Sequence, residues 1–300
     1  MKAYFLWLAK LLTLITVVLI GVPVALALCI GLLAKMVADE PEDHAVDRSR
    51  KVAVVDLSGV IMESRDVLDQ LYKQADDESV KGIVLRVDSP GGAVGPSQEI
   101  YSAVNKLKAK KPIVVSMGGV AASGGLYASL GASKILAQPG TLTGSIGVIL
   151  EIPNFTDIAQ KIGVEMTTIK SGKFKDAGNA FRKMTPEETQ YLEATVRVTH
   201  LDFVTAVVEG RKLERSKVLQ FADGRILLGT QAKDIGLIDG FGDVQDAARL
   251  VFDLRGEPLK ADERPYLYYP SGKYGEIKRL LESITKIPLV MSRSLRLSYL

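Results

Sequence analysis

The sequence predicts an α/β fold with a mostly parallel sheet and crossover helices, and three observations carry that expectation. Short apolar, β-branched runs recur from Val52 to Asp239. Between them lie stretches whose apolar residues repeat at helical spacing, and clusters of Gly, Pro, Asp and Ser separate one segment from the next. Strands alternating with helices pair most economically in parallel, each helix carrying the chain back across the sheet. At 300 residues and 47% hydrophobic, the chain can build one large domain or two small ones around a substantial core.

Residues 1–10 read as a cytoplasmic N-terminus and 11–34 as an anchor, because Leu11 to Ala34 contains no charge and is long enough to cross a bilayer with some tilt. A cleaved signal peptide would have a shorter apolar region, and Ala25, Ala27 and Ala34 are weak cleavage signals. Lys2 and Lys10 precede the stretch, while Asp39, Glu40, Glu42 and Asp43 follow it. That asymmetry places the main domain on the extracytoplasmic side of an inner or plasma membrane. Residues 35–50, charged and interrupted by Pro41, read as a juxtamembrane linker.

The main domain is expected over residues 51–255. Val52–Leu57 is a strand, Gly59–Met62 a short apolar step, and Ser64–Lys73 a helix with Val67, Leu68, Leu71 and Tyr72 on one face. Lys81–Val87 is a strand ending in Asp88-Ser89-Pro90-Gly91-Gly92, Pro96–Lys108 a helix, and Ile113–Ser116 a strand broken by Gly118 and Gly119. A helix follows to Leu130, then a strand at Lys134–Ala137 and a loop over Pro139–Val148. Phe155–Ile162 reads as helix, Val164–Ile169 as strand and Ser171–Asp176 as a turn. Thr185-Pro186-Glu187-Glu188 announces a helix reaching Gly210, with an N-cap, a proline at the first position and a glutamate three after the cap. Short elements at Ser216–Phe221, Gly224–Leu228 and Thr230–Ile235 precede a last helix at Val244–Phe252. Residues 256–300, with Tyr266, Tyr268, Tyr269 and Tyr274 clustered near Pro265 and Pro270 and a basic end, read as a peripheral or oligomer-contacting extension.

Composition excludes several chemistries. A net charge of +3 without a basic stripe argues against nucleic acid. Cys29 is the only cysteine and lies in the apolar stretch, which removes disulfides, thiolate catalysis and zinc–cysteine sites. His44 sits in the linker, His200 in a long helical pattern, and HExxH is absent. No cofactor or metal is expected.

The chemistry centres on Lys111–Gly125, KPIVVSMGGVAASGG. Ser123 stands at a strand-to-helix junction among alanines and glycines, with free N–H groups beside it, the setting a nucleophilic hydroxyl needs. A glycine-rich turn that only permits close helix–sheet packing is the plainer alternative. A tetrahedral oxyanion needs two convergent donors, one the N–H after the nucleophile and one from an adjacent strand corner. Gly124 and Gly92 fit those places, with Gly91 as substitute. No histidine is placed to act as base, but a lysine serves if its ammonium is disfavoured. Lys170, Lys173 and Lys175 cluster around Gly172, and composition does not choose among them. Ser145 in TGSIG is placed to hold such an amine, or to cap a turn.

VDSPGG, GGVAASGGLYAS, TLTGSIGV, SGKFKDAG, MTPEE and ADGRILLGTQAKDIGLIDGFG, in that order over Val52–Val251, resemble the signal peptide peptidase A family, the protease IV serine peptidases. The resemblance implies a Clp-protease/crotonase-like fold and a serine–lysine dyad: Ser123 as nucleophile, Lys175 as general base, Ser145 holding the lysine, and Gly124 with the SPGG glycine as oxyanion hole. A single copy of the domain resembles the short form, which implies a homo-oligomer whose serine and lysine come from adjacent subunits. The implied activity is a membrane-anchored endopeptidase that degrades cleaved signal peptides. The rival readings are a peptidase dedicated to one membrane partner, an anchored scaffold that binds peptides without cutting them, and a crotonase-type acyl-CoA enzyme, which would carry carboxylates in place of Ser123 and Lys175.

Overall fold

Four apolar runs become the centre of a parallel sheet: β1 (Lys51–Ser58), β2 (Gly82–Ser89), β4 (Ile113–Ala121) and β5 (Lys134–Ala137). The computed structural model describes residues 48–270, the single positions Trp7, Lys10, Leu19 and Gly21, and the pair Ser298–Tyr299. The expected anchor apart from Leu19 and Gly21, most of the linker and the chain from 271 to 297 therefore lie outside the described residues. Among the described residues no helix is long and apolar enough to cross a membrane. Met1–Asp47 and Arg48–Leu300 form separate units, and every element named below belongs to the second.

β1 pairs with β2 from Val52↔Gly82 to Ser58↔Asp88, and β2 with β4 from Ile83↔Ile113 to Val87↔Met117, all parallel. β5 (pairing Val114–Ser116 of β4) and the two-residue β8 (Gly240–Phe241) extend one side. The edge strand β9 (Tyr266–Tyr268) lies parallel to β1 on the other, so the stretch after Gly256 contributes to the sheet. The runs are apolar almost throughout because both faces are covered, as parallel sheets require. On one face Val52, Val54, Val84 and Val114 meet Ala247, Ala248, Val251 and Phe252 of α8 (Val244–Arg255). On the other, Val55, Leu85 and Val115 meet α1 (Arg65–Asp76) and α2 (Val94–Leu107), whose buried residues Ile100, Ala103, Val104 and Leu107 recur at helical spacing.

The sheet forks at β4, and the fork positions the site. Its first half pairs with β5; its far end pairs through Val120↔Leu142 with β6 (Leu142–Gly144), which runs antiparallel to β7 (Ile226–Leu228). β4 thus continues through Gly118 and Gly119 instead of ending at Ser116, and β6 forms where a loop was expected. The reason is local. Thr141 and Thr143 donate side-chain hydrogen bonds to the carbonyls of Gly118 (2.8 Å) and Ala121 (2.7 Å), joining the far end of β4 to the new strand. A Cβ on Gly118 would come within 2.7 Å of the Asp88 carboxyl carbon, so glycine there is a packing requirement.

The remaining helices are α3 (Gly124–Ser129), α4 (Thr156–Lys161), α5 (Pro186–Arg211), α6 (Arg215–Leu219) and α7 (Gly229–Asp234). α5 begins on the expected capping box: the Glu188 N–H donates to Thr185 Oγ1 (3.2 Å) and the Thr185 N–H to Glu188 Oε2 (2.9 Å). Its C-terminal part reaches the core through Phe203, Val204, Ala206 and Val207. Val164–Ile169 is not a strand; it pairs with no described strand and Val164, Met166 and Ile169 are exposed. A β-prone run needs a neighbour to pack on, and none of the described strands provides one.

Candidate active site

Ser123 lies two residues beyond the end of β4 and caps α3 with φ 51° and ψ −117°, a conformation a residue bearing a Cβ holds only under strain of about 1–3 kcal/mol. Two backbone bonds hold it there. The Ser123 N–H donates to the Gly144 carbonyl (2.9 Å) and the Tyr127 N–H to the Ser123 carbonyl (2.8 Å). Its side chain is fully buried, and Oγ has no hydrogen-bond partner among the described residues. A buried hydroxyl without a partner costs a further ~1–3 kcal/mol.

The second glycine corner packs directly against this turn. The Ala122 N–H donates to the Ser89 carbonyl (3.1 Å), and the Gly91 N–H to Ser89 Oγ (3.1 Å). A Cβ on Gly124 would stand 2.6 Å from Ser97 Oγ, 3.2 Å from the Gly92 nitrogen and 3.3 Å from Gly91 Cα; on Gly125 it would meet the Ser89 carbonyl at 2.8 Å. Glycine is what lets the two corners touch, which brings Gly91, Gly92 and Gly124 together beside Ser123. Gly92 lies in β3 (Gly92–Ala93), bridged on one side to Ile61.

Ser145 follows Gly144, the residue that receives the Ser123 N–H, so β6 carries Ser145 to the same end of the sheet. It has φ 50°, is nearly buried, and its N–H donates to the Arg225 carbonyl (2.8 Å). Lys175 lies elsewhere, exposed in the loop between α4 and α5, with its N–H on the Gly172 carbonyl (3.1 Å). No hydrogen bond joins it to Ser123. Lys170 is paired with Asp176 and Lys173 with Glu187, whereas the Lys175 ammonium has no ion-pair or hydrogen-bond partner among the described residues. Geometry therefore separates the three lysines that composition left equal.

A charged network that sequence reasoning missed holds this loop. Arg182 donates to Glu188 through both guanidinium amines and to Asp176 Oδ2 through Nε (2.9 Å). The guanidinium draws the Glu188 carboxyl down to about 2, helped by the Thr185 N–H, and Asp176 well below the carboxylate range, with Lys170 adding to the effect. The loop bearing Lys175 is thus tied to the N-terminal cap of α5. Sequence reasoning named Asp88 and Ser89 only as part of the glycine corner and passed over Ser97, five residues beyond Gly92. The Asp88 carboxylate accepts the Val120 N–H (3.0 Å) where the β2–β4 register shifts.

A family model described as peptidase family S49 matches residues 105–256, and one described as Clp protease matches residues 43–141. The chain belongs to peptidase family S49. Membership makes it a serine peptidase, and the Clp protease match agrees with the parallel sheet of β1, β2 and β4. A Synechocystis protein named as a protease is 39% identical over 215 residues, covering 71% of this chain and 78% of that protein. An Enterococcus faecium protein named as a signal peptide peptidase, SppA, is 37% identical over 66% of this chain and 62% of its own length. Protease 4 of Salmonella typhi is 34% identical over 69% of this chain and only 35% of its own length. The match to this S49 peptidase thus spans less than two thirds of the last two.

Beyond Ser145, a cavity of about 610 Å³ opens between Ile146, Val148 and the α5 residues Leu192, Val196 and His200. Neither Ser123 nor Lys175 lines it. His200, which sequence reasoning set aside as part of a helical pattern, has its Nε2 buried there without a partner among the described residues.

Proposed function

We propose that this S49 peptidase is a membrane-anchored endopeptidase that cuts unfolded apolar peptides, cleaved signal peptides among them, with a Ser123–Lys175 dyad. The observation that carries the reading is Ser123 itself: strained, buried, without a partner for Oγ among the described residues, and set against the Gly91-Gly92 corner. A purely structural turn would not keep a serine under both costs, since glycine or alanine would relieve one or both.

In this mechanism a neutral Lys175 takes the Ser123 proton as Oγ attacks a peptide carbonyl. The N–H groups of Gly124 and of Gly92, or Gly91 in its place, receive the oxyanion. The ammonium returns the proton to the leaving amine, and water then hydrolyses the acyl-enzyme. Ser145 orients the lysine. No cofactor or metal takes part.

The lysine reaches the serine from a neighbouring copy of the chain. In support, the Lys175 ammonium has no partner among the described residues of its own copy, and the segment around it exposes Ile158, Ile162, Met166, Ile169, Phe174 and Phe181, an apolar surface of the kind that oligomers cover. The uncharged stretch at 11–34 and its flanking charges support an anchor with the peptidase domain outside the cytoplasm.

Cleavage of a synthetic apolar signal-like peptide by detergent-solubilised protein tests the reading. Wild type cuts; Ser123→Ala and Lys175→Ala lose at least about a thousandfold; Lys170→Ala and Lys173→Ala keep most activity. If Ser123→Ala cuts as fast as wild type, the dyad is wrong. If no form cuts yet all bind the peptide, a scaffold is the better reading.

A further inference from the structure

Lys175 is fixed in place by its neighbours in sequence. Phe174, just before it, stacks on Tyr191 of α5 with ring centroids 5.0 Å apart and planes 24° from parallel. Asp176, just after it, is held by Arg182, which donates from Nε to the carboxylate (2.9 Å) and from Nη2 to the backbone carbonyl (3.0 Å). The same guanidinium reaches both carboxylate oxygens of Glu188. Glu188 and Tyr191 stand three residues apart near the start of α5, so both ties close on one face of that helix. Between them the chain is wound tight: the N–H groups of Lys175, Ala177 and Asn179 donate to the carbonyls of Gly172, Phe174 and Asp176, each at 3.1 Å.

This arrangement also occupies a carboxylate that would otherwise compete for the base. A carboxylate beside an amine favours the ammonium form, and Asp176 is the adjacent residue. Both its oxygens are taken, Oδ1 by Lys170 and Oδ2 by Arg182, and its side chain is only 11% exposed. Of the other carboxylates around the loop, Glu187 pairs with Lys173, and Glu188 with Arg182 and the Thr185 N–H. Lys183, whose carbonyl accepts from Arg182 Nη1 (3.2 Å), adds a further cation beside the guanidinium.

We propose that Arg182 is a positioning residue for the reaction: it fixes Lys175 on the α5 face and keeps the Asp176 carboxylate from pairing with the Lys175 amine. The proposal rests on the reading of Lys175 as general base. Arginine suits the place because its planar fork addresses Asp176 and Glu188 at once, whereas a lysine supplies the charge without the fork. The sign of the effect follows. With Arg182 gone, Asp176 draws the Lys175 ammonium, less of the amine is neutral at a given pH, and the acid limb of the rate moves to higher pH.

Two measurements on the full-length protein test it. In cleavage of an apolar reporter peptide across pH, Arg182→Gln lowers kcat at neutral pH by at least about tenfold with KM within about twofold, and moves the acid limb up by about one pH unit. Adding Asp176→Asn brings the limb back by at least about half of that shift. Arg182→Lys, which keeps a cation beside the buried Glu188, lowers kcat but leaves the limb in place. Tyr191→Leu, which opens the other tie, does the same. The second measurement needs no cleavage. In the Ser123→Ala protein, the acetylation of Lys175 by acetic anhydride is followed against pH by peptide mass spectrometry, and Arg182→Gln moves its half-point up by the same margin of about one unit. If Lys175→Ala cuts as fast as wild type but the half-point still moves, the dyad falls and the action of Arg182 on the Lys175 amine stands. If cleavage needs Lys175 and neither the acid limb nor the half-point moves in Arg182→Gln, the proposal is overturned, whatever the loss in kcat. A limb that stays fully displaced after Asp176→Asn overturns it as well.

Discussion

Ser123 combines backbone strain with a buried hydroxyl that has no partner among the described residues, and the two costs are separable by substitution. Ser123→Ala removes the orphan oxygen and keeps the strained backbone, so it stabilises the fold by about 1 kcal/mol while abolishing cleavage. For a domain of this size that is a rise in Tm of roughly 2–4 °C, measured by thermal unfolding of the two proteins; a clear drop in Tm would show that Oγ is satisfied in solution. The strand-to-helix setting of Ser123 was legible because small neighbours leave a local mark in AASGG. Lys175 left none, since Lys170, Lys173 and Lys175 look alike in sequence. Only the pairing of the first two with Asp176 and Glu187 separates them in space.

At the scale of elements, the capping box of α5 was legible because its signal lies within four residues, Thr185 to Glu188. The Arg182 network behind it was not, because ion pairs across a loop leave no period in the sequence. It predicts an acid response. Arg182 holds Glu188 at about 2 and Asp176 below the usual range. A depressed carboxylate contributes its full stabilisation above its unfolded value, roughly 4, and loses it as pH falls toward the folded value. Pepsin nicking within residues 170–188 should therefore rise in wild type between pH ~4.5 and ~2.5. In Glu188→Gln it should already be high at the upper pH. Equal nicking of the two proteins at pH ~4.5 would show that the ion pair does not hold the loop. β6 went unread for a similar reason: it is made by the hydroxyls of Thr141 and Thr143 finding β4 carbonyls, a tertiary event. Val164–Ile169 failed in the opposite sense, with strand propensity but no partner.

Over the whole molecule, alternating strands and helices and the two-faced burial of β1, β2 and β4 made the parallel α/β architecture readable. The fork at β4 and the edge strand β9 were not, because strand order is set by long-range pairing. The exposed apolar segment around Lys175 also acts at this scale. If neighbouring copies share each site, inactive Ser123→Ala and Lys175→Ala proteins, co-assembled one to one, regain about a quarter of wild-type activity, since one in four random neighbour pairings restores an intact site. A mixture as inactive as its parts, in an assembly shown to exchange subunits, would place serine and lysine in one copy.

The most direct test of the dyad is covalent labelling by a serine-reactive phosphonate, with the modified residue located by peptide mass spectrometry in wild type and in Lys175→Ala. The account predicts a single modified position, Ser123, with labelling slowed by at least about a hundredfold when Lys175 is replaced. Modification at another serine, or labelling of Ser123 at an undiminished rate without Lys175, would contradict it.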